Sequence, residues 1–199
     1  MKKLVIYYSL EGNTRRIAET IARTIEADLL ELKPKTEIPS SGFMKYFWGG
    51  KAAMMKTQPE LCPMGKDVQS YDVIFIGTPV WAWTYAPPLN TFFTTHPFSQ
   101  KKVALFCCHG GGKGKIFDKM KEVLTGNQIL GEIDFRDPLK HDTDANIEKA
   151  KAWAEKVLNP DGRGRGGVDG AGVPAVMTWG GGLRPAWSPS GFGVLTLTE

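Results

Sequence analysis

The chain lacks any apolar run approaching the 18 or so residues that a membrane helix needs. After Met1-Lys2-Lys3 the apolar stretch is only a few residues long and ends at Ser9 and Glu11, too short for the core of a secretory signal. The reading is therefore a cytoplasmic protein with no membrane span. Cysteine is scarce too, with three in 199 residues. Cys107 and Cys108 are neighbours in a strand, where adjacent side chains point to opposite faces, and Cys62 stands alone, so a disulfide framework is excluded. His96, His109 and His141 are isolated from other plausible ligands, and no metal site is expected. Lysine is absent beyond residue 158.

The last absence marks a boundary. Residues 159–199 hold eleven of the 23 glycines and four of the 13 prolines but none of the lysines. Without apolar periodicity such a segment cannot bury enough surface to offset its ordering entropy, so it reads as a Gly/Pro-rich tail, mobile or loosely packed, and dispensable for ligand binding. Residues 1–158 carry 22 Lys plus Arg against 18 Asp plus Glu, which is the whole of the +4 net charge. A basic balance alone invites the thought of nucleic acid, but no basic helix or aromatic platform supports specific recognition.

What is present is an alternation of apolar strands and amphipathic helices. Leu4 to Tyr8 is a continuous apolar run, as a parallel strand covered on both faces requires. Ile17, Ile21 and Ile25 recur at a spacing of four with Ala18 and Ala22 beside them, which predicts a helix packed on a sheet. The pattern gives strands at 3–8, 28–33, 72–77, 102–107 and 129–135 and helices at 13–26, 87–95, 115–124 and 143–158. Pro87 and Pro88 suit a first helical turn, and Asp142 is placed to cap the last helix. Ile147, Ala150, Trp153, Ala154 and Val157 form that helix's apolar stripe. Five strands alternating with helices make an α/β, doubly wound parallel sheet. The connection from Pro34 to Ser70 is too long for a turn; its Phe43, Tyr46, Phe47, Trp48, Met54 and Met55 predict a short helix near 43–55 that either folds toward a ligand mouth or packs on the sheet edge.

The most informative stretch is Ile6-Tyr7-Tyr8-Ser9-Leu10-Glu11-Gly12-Asn13-Thr14, where a buried strand runs into a hydroxyl- and glycine-bearing turn that opens a helix. Ser9, Asn13 and Thr14 can donate hydrogen bonds, Gly12 permits close backbone approach, and the N–H groups at the helix start suit an anion. No lysine or arginine is needed inside the loop. Asp72 to Trp81 is a second buried strand, ending in Gly77-Thr78-Pro79 with Trp81 just beyond. Lys102 to Gly112 is a third, delivering Cys108, His109 and a run of glycines. Gly112-Lys113-Gly114-Lys115 has the outline of a nucleotide triphosphate loop, but Ile116 follows where Ser or Thr must hold magnesium, and that reading is excluded. Phospho-receiver chemistry needs clustered aspartates where this chain has Tyr7, Tyr8 and Ser9.

Ser9-x-x-Gly12-Asn13-Thr14 after a first strand resembles the phosphate loop of the flavodoxin family, Ser/Thr-x-Ser/Thr-Gly-x-Thr. Glu11 stands where the family has a second hydroxyl residue, and its carboxylate is expected to face water. The resemblance covers about residues 1–158. It implies a flavodoxin-like sheet of order 2-1-3-4-5 with helices on both faces, and FMN as cofactor. It implies Ser9, Glu11, Gly12, Asn13 and Thr14 around the phosphate, and Thr78, Pro79, Val80, Trp81 and Ala82 with Cys108, His109 and Gly110 around the ring. The function implied is electron transfer with a redox partner protein or small-molecule acceptor. Two departures keep an alternative open, an FMN-dependent NAD(P)H oxidoreductase acting on quinones or similar acceptors: Ala82 and Trp83 follow Trp81 where shuttle flavodoxins keep a peptide-flipping glycine, and the third loop has no tyrosine to cover the ring's second face. The globular part also lacks the acidic field typical of soluble shuttles.

Overall fold

The computed structural model of the protein describes residues 1–36 and 57–160. The chain divides into two units, Met1–Gly164 and Arg165–Glu199. The second unit and the helix expected near 43–55 lie outside the described residues.

Each sheet strand divides its side chains between two cores, and this is what makes the continuous apolar runs of the sequence necessary. In β1 (Lys3–Tyr7), Leu4 and Ile6 enter one core while Val5 and Tyr7 enter the other. The same alternation runs through β3 (Val73–Trp81) and β5 (Lys102–His109), where Ile74, Ile76, Val103 and Leu105 oppose Val73, Phe75, Ala104 and Phe106. With both faces buried, no polar side can be spared. One core is closed by α2 (Pro87–Thr95) and α3 (Ile116–Val123) through Leu89, Phe92, Ile116, Phe117 and Met120. The other is closed by α1 (Asn13–Thr24) and α4 (Thr143–Leu158) through Ile17, Ile21, Ala150, Ala154 and Val157.

With β2 (Asp28–Glu31) and β6 (Gln128–Arg136), the parallel strands run in the order β2-β1-β3-β5-β6. This is the expected doubly wound order, with one addition: the two-residue β4 (Thr84–Tyr85) folds back antiparallel on β3. Order reverses at β1, whose neighbours are β2 and β3, so β1 and β3 border the crevice where such sheets take ligands.

Two local expectations are corrected, and the long connection gains an anchor. β3 does not end at Gly77 but runs to Trp81, because Thr78 and Pro79 continue in register with Cys107 and Cys108 and Val80 and Trp81 pair with β4. Gly-Thr-Pro has the chemistry of a turn, yet Gly77 is there for space: a Cβ would stand 2.1 Å from the Phe106 ring. Asp142 does occupy the N-cap position of α4, but its side chain makes no capping bond; Asn146 instead donates its side-chain amide to the carbonyls of His141 and Asp142. The ends of the long connection are pinned together, since Pro34 pairs antiparallel with Leu61 and Cys62 N–H donates to the Lys33 carbonyl at 2.7 Å. Pro87 and Pro88 open α2 as expected.

Candidate functional site

A cavity of about 240 Å³ opens at the carboxyl ends of β1, β3, β5 and β6. The first loop contributes Ser9, Leu10, Glu11, Asn13 and Thr14, and the end of β3 contributes Pro79, Val80, Trp81 and Ala82. Cys108, His109 and Gly110 come from β5. Eleven of the thirteen residues singled out from the sequence thus line one hollow.

The first loop is shaped from within. Gly12 N–H donates to Ser9 Oγ at 3.1 Å, which leaves the Ser9 hydroxyl proton available to another acceptor. Gly12 itself sits at φ +91°, a left-handed conformation that a side chain would strain, and it caps α1 without a side-chain bond. The N–H groups of the first helical turn therefore have no cap to satisfy them. Thr14 is 1% exposed; its Oγ1 lies near the Cys108 thiol but makes no hydrogen bond of normal geometry among the described residues. A buried orphan hydroxyl costs about 1–3 kcal/mol, a cost a ligand could remove. Asn13 spends its Oδ1 on the main-chain N–H of Leu139, 3.0 Å away, so only its amide NH2 is left to donate. Glu11 is exposed, as expected for a carboxylate beside an anion site.

Two expected residues serve the site without lining it. Gly12 sets the loop's turn. Thr78 is fully buried, its Oγ1 accepting from Ala86 N–H at 3.1 Å and donating to the Pro79 carbonyl at 3.0 Å, so it braces the β3–β4 hairpin.

Trp81 packs edge-on against Tyr8, with ring centroids 5.7 Å apart, which fixes the indole at the cavity wall. Ala82 and Trp83 form the hairpin turn, both with left-handed backbone (φ +46° and +63°). The matching two-residue turn favours Asn and Gly, and each non-glycine residue here costs about 1–2 kcal/mol. Trp83 is 62% exposed and lies against Gly114 of the third loop.

The third loop brings titratable groups to the cavity wall. Burial pushes the Cys108 thiol up to about 12, with the nearby Thr14 hydroxyl pulling the other way, and burial pushes Cys107 up further. Burial thus favours the protonated thiol at both positions rather than activating either. His109 faces Asp134 on β6: its Nε2 is 3.1 Å from Asp134 Oδ2, and Lys113 Nζ donates to Oδ1 at 2.8 Å. Burial tends to raise Asp134, but the bonds from Lys113 and His109 outweigh it and hold the carboxyl below its usual range. The His109 Nδ1 is buried with no partner among the described residues. Among those residues no group of three or more His, Cys, Asp or Glu is arranged to hold a metal ion, and no helix is long and apolar enough to cross a membrane.

Sequence reasoning missed Asp137 and Lys140, which complete the cavity wall. They follow β6, and the rule that ligands sit beyond the carboxyl ends of parallel strands could have drawn attention to that loop. Asp137 N–H donates to the His109 carbonyl at 2.9 Å, and its carboxylate stands over Gly110.

A family model described as Flavodoxin matches residues 2–157. The chain belongs to the flavodoxin family. A curated relative, the flavodoxin-like domain-containing protein BilS of Clostridioides difficile (strain CD3), is 28% identical over 139 residues; the match takes in 67% of this chain and 64% of the relative's length. The structure of a flavoprotein in complex with FMN from Lactobacillus acidophilus NCFM aligns with a TM-score of 0.60 at 26% identity, covering 71% of this chain and 97% of that one. A flavodoxin from the domain Archaea aligns at 0.52 and 18% identity, over 80% of this chain and 98% of its own, and shows the fold alone.

Proposed function

We propose that this family member binds FMN and transfers electrons. The observation that carries the reading is the buried, unpartnered Thr14 hydroxyl beside an uncapped helix start, in the same cavity as Trp81. The donor set fits the cofactor. Ser9, the Asn13 amide, Thr14 and the first-turn N–H groups suit the phosphate. Trp81 offers an aromatic wall for the ring, with Pro79, Val80 and Ala82 on its own strand and hairpin and Cys108, His109 and Gly110 across the cleft. The neighbour crystallised with FMN shares this fold at 26% identity, which supports the same choice.

FMN supplies the redox chemistry, and the chain supplies grip, orientation and local charge. At about 240 Å³ the cavity is small beside the roughly 300–1,000 Å³ of enclosing ligand clefts.

The second reading, an FMN-dependent NAD(P)H oxidoreductase, draws on a specific observation. The His109–Asp134–Lys113 chain places a buried imidazole with a free nitrogen in the cavity wall, as proton handling during two-electron reduction requires. Titrating the purified protein with FMN and following flavin fluorescence tests the common core, since an absence of binding ends both readings. Photoreduction of the loaded protein then separates them. Accumulation of a one-electron reduced spectrum supports the carrier, and direct bleaching with NAD(P)H-driven quinone turnover supports the enzyme.

A further inference from the structure

We propose that Lys140 is the phosphate-recognising cation of this site, so that FMN is selected over uncharged flavins by a charge delivered from the far end of the sheet. The inference rests on the FMN reading above and adds to it a specificity-determining residue.

The phosphate loop contains no cation of its own. Arg15, the nearest in sequence, is engaged by Glu31 at 2.5 Å. Around the cavity the Asp137 carboxylate stands over Gly110, and His109 is the neighbouring imidazole. Among the described residues Lys140 is the one lining residue with a fixed positive charge. A phosphate monoester carries close to two negative charges at neutral pH, so a carboxylate in the wall repels it and a nearby ammonium attracts it. The loop's neutral donors can hold the anion, and a cation beside them adds attraction felt by the charged flavin alone.

The placement of Lys140 is built rather than incidental. Its loop is fastened at three points: Asp137 N–H to the His109 carbonyl at 2.9 Å, Leu139 N–H to Asn13 Oδ1 at 3.0 Å, and Lys140 N–H to the Asp137 carbonyl at 2.8 Å. Leu139 lies against Gly12, its Cδ1 3.4 Å from where a Cβ would stand. The main chain at Lys140 is therefore held beside the loop that carries Asn13, next to the residue that bonds it, and Lys140 lines the cavity. Its ammonium, like those of several other surface lysines, has no carboxylate partner among the described residues. The unpartnered Thr14 hydroxyl in the same cavity marks independently where an acceptor group belongs.

The test compares FMN and riboflavin, which differ by the phosphate alone, in titrations of the full-length wild type, Lys140→Ala and Lys140→Arg at low and high salt. Lys140→Ala is expected to weaken FMN by about three- to tenfold, between an exposed ion pair and a charge-assisted hydrogen bond, and to leave riboflavin unchanged. The salt dependence of FMN binding should flatten in Lys140→Ala and persist in Lys140→Arg. Equal weakening of both flavins, or unchanged FMN affinity in a protein that does bind FMN, overturns the role of Lys140 while leaving the FMN reading in place. A wild type that binds neither flavin overturns both.

Discussion

The main-chain N–H of Leu139 donates to Asn13 Oδ1 at 3.0 Å, joining the start of the first helix to the loop before the last one. Residues 126 positions apart in sequence thereby close one end of the cavity together. Asn13→Ala removes both this anchor and the amide donors. FMN affinity is expected to fall by more than in Thr14→Ala, and Asn13→Asp, which keeps the acceptor but loses the donors and adds a negative charge, should not restore it. Parallel flavin titrations of the three variants decide the order.

Thr14→Ala deletes a buried hydroxyl that has no partner within the described chain. The free protein should therefore lose little stability, while FMN binding loses about 1.5–3 kcal/mol, roughly ten- to a hundredfold. A variant that melts as the wild type does yet binds FMN as tightly would remove the hydroxyl from the phosphate site.

Gly77→Ala places a methyl group 2.1 Å from the Phe106 ring in the middle of the sheet. Overpacking of this kind costs about 1–3 kcal/mol or more, because strand backbone and ring cannot both give way. Urea denaturation should show the loss, and Phe106→Leu in the same chain should recover part of it.

Alkaline stability follows from the buried acids. Burial raises Cys108 from an ordinary 9.0 to about 12, and the Asp28 carboxylate, bonded to the Tyr71 hydroxyl at 2.6 Å, raises Tyr71 from 10.0 to about 12. Above pH 9 to 10 the unfolded chain gives up these protons while the folded chain keeps them, so stability is full below pH 9 and declines as pH climbs toward 12. Tyr71→Phe and Cys108→Ala should each make the decline shallower in denaturant titrations across that range.

Much of this was legible in the sequence for identifiable reasons. The runs Leu4–Tyr8, Val73–Ile76 and Val103–Cys108 reveal a parallel sheet because burial on two faces leaves no room for polar alternation. Ser9, Asn13 and Thr14 could be named because a strand, a turn and a helix start are contiguous in the chain. Lys140 and Asp137 could not, since their placement depends on the order of strands and on a bond to Asn13 made only after folding. That the Thr78 hydroxyl is spent on Ala86 N–H could not be read either, since it depends on where β3 stops, and Gly77 hid that β3 continues.

Trp83, lying on Gly114, joins the hairpin that carries Trp81 to the loop that follows His109. The two jaws of the cleft thus meet through an indole, and any motion that parts them must first break that contact. A contact already made in the free protein is one that an arriving guest does not have to order.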